Sequence, residues 1–290
     1  KIRSVQNIRK ITRAMEMVAA SKMRKAITQA VASREYAEHA IHLLTRLSGA
    51  RRVKHPLLAS RRGAEKKILV IVVMSDKGLC GGFNVVLSKA VGRFCERHAD
   101  QLIDLVAVGR YADRTAKRLG KDVIASFHQL PDNISTADTN VIAKLAATEF
   151  LAGHYQGVYV VYNHFVSALS FKPVARQLLP ISLAAAQNAL EALGGGVIAK
   201  PKLKEEYLFE PSVTRVLDIV LPRLFEVLLF QSLLESRASE YSARMFAMKN
   251  ASDNARDLID DLTLSYNHAR QDSITQELSE IVAGANALTQ

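Results

Sequence analysis

The strongest constraint on the fold is an uninterrupted helical stretch in the last third of the chain. Ser212 to Val282 contains no glycine and only one proline, Pro222, and its apolar residues recur at helical spacing. A breaker-free segment of this kind is typical of one continuous helix. At about 1.5 Å per residue it would be roughly 100 Å long. A compact domain cannot enclose such a rod, so the sequence predicts a helix that extends well beyond any globular part.

The rod carries the pattern of a coiled coil. From Tyr241 onwards, steps of four and three alternate, a period of 3.5 that predicts a left-handed supercoil. The predicted seam consists of Tyr241, Met245, Met248, Ser252, Ala255, Ile259, Leu262, Tyr266 and Ala269. Several of these residues are small, so we expect a closely approaching partner helix. Ile274, Leu278 and Ile281 then follow on a rotated stripe, which indicates that the terminal turns face something else.

The first helix of the chain is the expected partner. Residues 1–48 also lack glycine and proline, and one apolar face is marked by Ile2, Val5, Ile8, Ile11, Met15 and Val18. Both helices join the same middle region, so they should run antiparallel. The difference in their lengths would leave roughly 40 Å of the C-terminal helix unpaired. The chain starts at Lys1 without a methionine, and we expect further native residues before it.

The middle of the chain alternates short apolar strands with helices, which is typical of a parallel, doubly wound sheet. The predicted strands are Ile68–Ser75, Leu102–Gly109, Val123–Phe127, Val158–Tyr162 and Pro173–Ile181, and the predicted helices are Val85–His98, Arg110–Leu119 and Asp138–Tyr155. Asp138 is the expected N-cap of the third helix. The last strand should lie at an edge because it contains Pro173. Pro222 should mark a kink between a short first helix and the main rod.

The predicted fold class is therefore α/β, with a Rossmann-like, mostly parallel sheet and a long antiparallel two-helix coiled coil. The predicted boundaries are 1–54 for the N-terminal coiled-coil helix, 55–205 for the α/β domain and 206–290 for the C-terminal coiled-coil helix.

The positive charge is concentrated at the start of the chain. The net charge is +11, and residues 1–67 hold 17 Lys/Arg against 4 Asp/Glu. A helix this basic could bind nucleic acid, anionic lipid or an acidic protein surface. Zinc-finger spacing and aromatic RNA-binding motifs are absent from the sequence. A basic coiled-coil scaffold or nucleic-acid-binding protein nevertheless stays open as an alternative function.

The sequence contains no convincing catalytic constellation. The loop SDKGLCGGFN, Ser75–Asn84, lies between a strand and a helix, but it matches neither GxGxxG nor GxxxxGK[ST]. Cys80 and Cys95 have no metal-ligand spacing, and the pair His39/His42 is weak. We therefore predict no enzymatic activity, no cofactor and no metal site in this chain. The longest apolar run is also far shorter than the roughly 18 residues of a membrane span.

Four separated motifs resemble the gamma subunits of F-type ATP synthases. They are KITRAMEMVAASKM (Lys10–Met23), SDKGLCGGFN (Ser75–Asn84), SARMFAMKNASDNA (Ser242–Ala255) and SYNHARQDSITQELSEIV (Ser265–Val282). The resemblance covers the chain from end to end and is least diagnostic between residues 129 and 204. It implies a non-catalytic rotor shaft that transmits rotation of the c-ring to the catalytic beta subunits.

The resemblance also implies partners and roles for particular residues. The partners would be three alpha and three beta subunits per gamma, the epsilon subunit, a delta subunit as a further candidate, and the c-ring, with no nucleic acid. Membrane association would be indirect, on the cytoplasmic face of the bacterial inner membrane or, alternatively, on the matrix side of the mitochondrial inner membrane. The implied beta-subunit contacts are Arg244, Gln271, Thr275, Met15, Lys10, Arg13 and Lys22. The implied bearing tip is Ile274, Leu278 and Ile281, and the implied c-ring and epsilon contacts are Tyr207 and Glu210.

Overall fold

The computed structural model describes residues 1–50, 55–59, 66–182 and 212–288, without the side chains of 33–38, 40–50, 213 and 286–288. Two long helices enclose an α/β domain in chain order. The elements are α1 (Ile2–Ala50), β1 (Lys67–Val73), α2 (Phe83–Arg97), β2 (Leu102–Val108), α3 (Arg110–Arg118), β3 (Val123–Phe127), α4 (Thr136–Leu151), β4 (Gly157–Ser167), β5 (Ser170–Leu179) and α5 (Val213–Leu288).

The five strands form one sheet in the order β3-β2-β1-β4-β5. The first four are parallel, as predicted, with β1 aligned to β2 from Lys67 opposite Leu102 to Val73 opposite Val108. The fifth strand pairs antiparallel with β4 and lies at the edge. The edge position of Pro173 is therefore confirmed, because a residue without an N–H is tolerated where no further strand needs it.

Both faces of the sheet are covered by helices. Alternate residues of β1 and β2 point to opposite faces, which explains why β1 is a continuous apolar run rather than an alternating one. One face packs against α2 and α3. The other face packs against α4 and the first third of α5, from Leu217 to Leu234. The long helix is thus part of the core of the α/β domain before it leaves as a rod.

Besides shifts in the bounds of elements, two details differ from the sequence prediction. Helix α5 continues through Pro222 without a separate first helix. Leu217, Leu221 and Leu224 beside it are almost fully buried, and each buried leucine contributes about 1.5–3 kcal/mol, which offsets the roughly 3 kcal/mol that proline costs inside a helix. The N-cap of α4 is Ser135, not Asp138; Asp138 is the third helical residue of a capping box and accepts from Ser135 N at 2.8 Å.

Candidate functional site: the helical shaft and its joint with the domain

The two terminal helices pair antiparallel, as predicted. Near the domain, Met23 and Ala26 of α1 pack against Ala238 and Tyr241 of α5. At the far end, Lys1 to Arg3 line a shallow groove together with Leu262, Ser265 and Tyr266. The paired part of α1 and α5 is called the shaft below.

The predicted seam on α5 is correct only where α1 is present to cover it. Met248, Ser252 and Ala255 are buried, and Leu262 is partly exposed. Tyr266 is 56% exposed and Ala269 is also exposed, so the described part of α1 does not cover these two predicted seam residues. The heptad pattern continues past the point where the first residues of α1 lie, and the described part of the chain supplies no partner helix beyond it.

The predicted face of α1 is wrong at three positions. Ile8, Ile11 and Val18 are at least half exposed. The buried positions are instead Thr12, Ala19, Met23 and Ala26. Three of these four residues are small, and small residues permit the close approach that the thin seam of α5 also requires. The larger apolar residues form an outward stripe one position away.

Asp132 joins both shaft helices to the α/β domain. This residue lies in the segment before α4, and its carboxylate accepts from Lys22 Nζ at 2.6 Å and from Tyr241 Oη at 2.8 Å. The hydrogen bond from Lys22 lowers the pKa of Asp132 below its usual value. Lys22, a predicted beta-subunit contact, thus has a partner within this chain.

A buried ion cluster on α5 holds two loops of the domain. Glu240 accepts from Arg237 at 3.2 Å and forms an ion pair with Arg244 at 2.8 Å. Arg237 also donates to the carbonyl of Leu130 at 3.0 Å. Arg244 Nη2 donates to the carbonyls of Lys77 and Gly78 at 3.2 and 3.3 Å. Arg244, another predicted beta-subunit contact, therefore lies mostly buried against the glycine-rich loop.

That loop is held closed by its own polar side chains. Asn84 Nδ2 donates to Ser75 Oγ at 2.7 Å, and Ser75 N donates to Asn84 Oδ1 at 3.3 Å. Burial raises the pKa of the Cys80 thiol beside them, as expected for a structural cysteine. Behind the loop, Gly109 has a φ of 90°, and a Cβ there would lie 2.2 Å from the carbonyl oxygen of Met74. The loop is a packing turn, as its glycines predict.

A further polar contact, between α5 and β4, was not predicted from the sequence. Glu235 is buried and accepts from Tyr162 Oη at 2.9 Å, with His164 Nδ1 2.6 Å away. Ser239 Oγ donates to the carbonyl of Asn163 at 3.0 Å, and Ser242 Oγ donates to Ala168. The available signal was a stripe of polar residues, Ser232, Ser236, Ser239 and Ser242, at helical spacing where apolar residues were expected.

The remaining predicted contacts on α1 lie on its surface or edge. Lys10 is exposed, Met15 is half-buried, and Arg13 pairs with Glu16 of the same helix at 2.8 Å. The structure brings none of these three together with Arg244. Tyr207 and Glu210 lie outside the described residues.

The end of α5 forms an exposed helical tip. From Thr263 to Ala285 every residue is exposed, including Gln271 and Thr275. The predicted bearing residues Ile274, Leu278 and Ile281 are 48%, 58% and 67% exposed. A row of exposed apolar side chains on a single helix is typical of a surface that another protein covers.

Other kinds of site find little support. Within the described ranges, no three His, Cys, Asp or Glu side chains are grouped so that they could hold a metal ion. Of the helices that the structure describes, none has the length and apolarity to cross a lipid bilayer.

Comparisons with known proteins agree with this architecture. The chain matches the family described as ATP synthase over residues 1–288. It is 42% identical to the ATP synthase gamma chain of Nitrosococcus oceani, over 99% of this chain and 97% of that protein. It is 41% identical to the gamma chain of Heliobacterium modesticaldum, over 99% and 97%.

Solved structures show the same architecture. The central stalk and c-ring structure of the Tetrahymena thermophila mitochondrial ATP synthase contains a chain that is 27% identical, with a TM-score of 0.60, over 83% of this chain and 99% of that one. A chain in the Euglena gracilis mitochondrial ATP synthase is 20% identical with a TM-score of 0.64, over 99% and 92%, and supports the fold.

Proposed function

The chain belongs to the gamma-chain family of the ATP synthase, and we propose that this non-catalytic central-stalk rotor subunit transmits c-ring rotation to three catalytic beta subunits. Ion flow through the membrane part would turn the α/β domain, and the shaft would turn with it. The asymmetric shaft then makes different contacts with each beta subunit, which is what a mechanical coupling between two sites requires.

The observation that carries the proposal is that α5 is one continuous helix whose successive parts have different surroundings. The first third of α5 lies in the core of the α/β domain, the middle pairs with α1, and the tip is exposed. A torque applied to the domain therefore reaches the tip through a single covalent helix, without a loop that could yield. Side-chain bonds also tie that helix to the domain: Glu235 bonds Tyr162 of β4, Asp132 bonds Tyr241, and Arg244 bonds the carbonyl of Lys77. These bonds form the joint between the shaft and the domain.

We propose that the tip and the exposed side of the shaft contact the alpha and beta subunits. Ile274, Leu278 and Ile281 would lie in an apolar bearing, and Gln271 and Thr275, one turn apart, would bond a beta-subunit loop. Lys10, Arg13 and Met15 would face other beta segments. Arg244 and Lys22 would have to leave or share their present partners to do the same, so for them a role within the joint has the better support.

The remaining partners follow from the family. One copy of this chain would assemble with three alpha subunits, three beta subunits, epsilon and the c-ring, with delta as a further candidate. Tyr207 and Glu210 are the proposed contacts to epsilon and the c-ring. The bacterial relatives at about 40% identity favour the cytoplasmic face of a bacterial inner membrane over the matrix side of mitochondria, with membrane association only through the c-ring.

Co-purification tests the proposal directly. A tagged chain would be isolated from its native host in gentle detergent, and its partners would be identified and counted by mass spectrometry. We expect one copy with three alpha subunits, three beta subunits and a c-ring. Recovery of the chain alone, or with nucleic acid that salt removes, would contradict the rotor assignment and favour a basic scaffold.

A further inference from the structure

A groove with a cationic rim runs between α2 and α3, on the sheet face opposite α4 and α5. Its volume is about 780 Å³. Because the first third of α5 packs on the other face of the sheet, this groove, called the α2/α3 groove below, is separate from the joint.

Four cations line the groove as two pairs. Lys89 and Arg93 are one turn apart on α2, and Arg114 and Arg118 are one turn apart on α3. All four are exposed, and the only acidic residue among the lining residues is Glu96. Like charges at this helical spacing destabilise a helix by about 0.2–0.5 kcal/mol per pair. The arrangement thus costs stability in the isolated chain.

Nothing in the described part of the chain neutralises these cations. No carboxylate of those residues lies within 4.0 Å of the charged nitrogens of Lys89, Arg93, Arg114 or Arg118. Arg118 donates to Ser88, and the Arg114 guanidinium lies over the Tyr111 ring at 4.9 Å. Both contacts hold the side chains beside the groove and leave their charges unpaired.

The surface between the two rows of cations is mostly apolar. Met74, Leu119 and Val85 line it, and Val85 is 59% exposed. The short polar residues Ser88 and Thr115 also line it, and they bond each other at 3.3 Å. Gly92 on α2 contributes no side chain to the cavity, which widens it. A bound ligand would thus meet mainly apolar groups below and positive charge on both sides.

We propose that the α2/α3 groove docks an acidic, amphipathic segment of a protein partner in the assembled complex. The inference rests on the proposed function only in requiring that the chain works within a complex. An acidic amphipathic segment would satisfy both the apolar floor and the cationic rim. The cations are spread along two helices instead of converging on one point, so an extended anionic segment fits better than a compact nucleotide phosphate.

Site-specific photo-crosslinking in the assembled complex tests the proposal. A benzophenone amino acid would replace Val85, and a control would carry it at Val141 on α4, which is 61% exposed on the opposite face. We expect the Val85 probe to crosslink to a protein segment rich in Asp and Glu. We also expect the double variant Arg93→Glu and Arg114→Glu to reduce that yield at least about tenfold.

A matched charge reversal controls for overall charge. Lys117→Glu with Lys144→Glu changes the net charge equally, but both lysines are exposed and lie outside the groove. This variant should retain the crosslink. A crosslink to lipid, nucleic acid or a neutral segment, or one that survives the groove reversal, would overturn the proposal.

Hydrogen exchange provides a second test without any variant. Amides of α2 and α3 should exchange more slowly in the wild-type complex than in the isolated chain. Equal exchange rates in a complex that co-purifies intact would refute docking at the α2/α3 groove but would not contradict the rotor function. Failure of the chain to co-purify with any subunit would instead refute the rotor function itself.

Discussion

At the scale of single residues, Asp132 links protonation to the joint. Its folded-state pKa lies below the unfolded value of about 3.9. Its contribution to stability is therefore present above that pH and lost as the pH falls through the lower, folded-state pKa. We expect Asp132→Asn to lower the free energy of unfolding at pH 7 by no more than about 1 kcal/mol, because the pair is partly exposed.

The pH dependence separates this effect from a general loss of charge. Urea unfolding at pH 7 and near pH 2.5 should show the difference between Asp132→Asn and wild type shrinking in acid. Asp122→Asn is the control, since Asp122 is exposed and its carboxylate has no partner in the described part of the chain. If the difference in unfolding free energy between Asp132→Asn and wild type stayed constant with pH, the result would contradict the stabilising hydrogen bond from Lys22 to Asp132.

Glu235 is the residue whose loss should damage the joint most. Burial raises the pKa of Tyr162 well above its usual range, so its hydroxyl stays protonated and donates to Glu235. Glu235→Ala would leave the hydroxyl of Tyr162 and the ring of His164 buried without this acceptor, at a cost of about 2–4 kcal/mol. Glu235→Gln should cost less, because an amide oxygen can still accept.

Thermal unfolding of the full chain measures this cost. Glu226→Ala on the same helix is the matched control, since Glu226 pairs with the exposed Arg223 at 2.8 Å and should contribute at most about 0.5 kcal/mol. Equal losses in the two alanine variants would show that the buried contact between α5 and β4 has no special role.

At the scale of elements, the seam of the shaft predicts a gradient of sensitivity along α5. Ala255→Asp would bury an unpaired charge between α1 and α5 and should cost at least about 2 kcal/mol. Leu262→Asp should cost less, because Leu262 is already partly exposed, and Tyr266→Asp should have almost no effect. Circular dichroism during heating would rank the three variants, and equal effects would place the end of the pairing elsewhere.

The tip predicts the opposite behaviour. Replacing Ile274, Leu278 and Ile281 together with serine should change the stability of the isolated chain by less than about 0.5 kcal/mol, because all three are exposed. If they lie in an apolar bearing, the same variant should recover fewer alpha and beta subunits on co-purification. Ser265→Ala with Ser273→Ala, also on exposed turns, serves as the control. Full recovery by the serine variant would exclude the bearing.

At the scale of the whole molecule, the coupling of rotation to ATP synthesis should be separable from folding. Gln271 is exposed on the tip, so Gln271→Ala should leave the fold and the assembly intact. The variant should lower the rate of coupled ATP synthesis severalfold, because one lost hydrogen bond costs about 1 kcal/mol. Gln276→Ala, five residues away on another side of the helix, is the control, because Gln276 bonds Glu280 of the same helix. Arg244→Ala cannot make this distinction, since Arg244 also holds the glycine-rich loop. Unchanged synthesis with Gln271→Ala would refute its contact role.

Local pattern determined much of this protein. The breaker-free α5, the heptad spacing, the short buried strands and Pro173 at an edge all followed from the sequence, because helix and strand periods and proline chemistry act on neighbouring residues. The family resemblance rested on motifs that are likewise continuous in the chain. Of the site, the exposed tip residues and the small residues of the seam followed in the same way.

Tertiary structure decided which surfaces meet. Hydropathy pointed to Ile8, Ile11 and Val18 on α1, yet Thr12, Ala19 and Ala26 face α5 because close backbone approach favours small side chains. Tyr266 keeps the heptad spacing but is 56% exposed beside Lys1 to Arg3, so the spacing alone does not bury a residue. The contacts of Asp132, Glu235 and Arg244 join residues that are separated by up to 167 positions along the chain. Such contacts depend on how the helices pack on the sheet, and no local period encodes that packing.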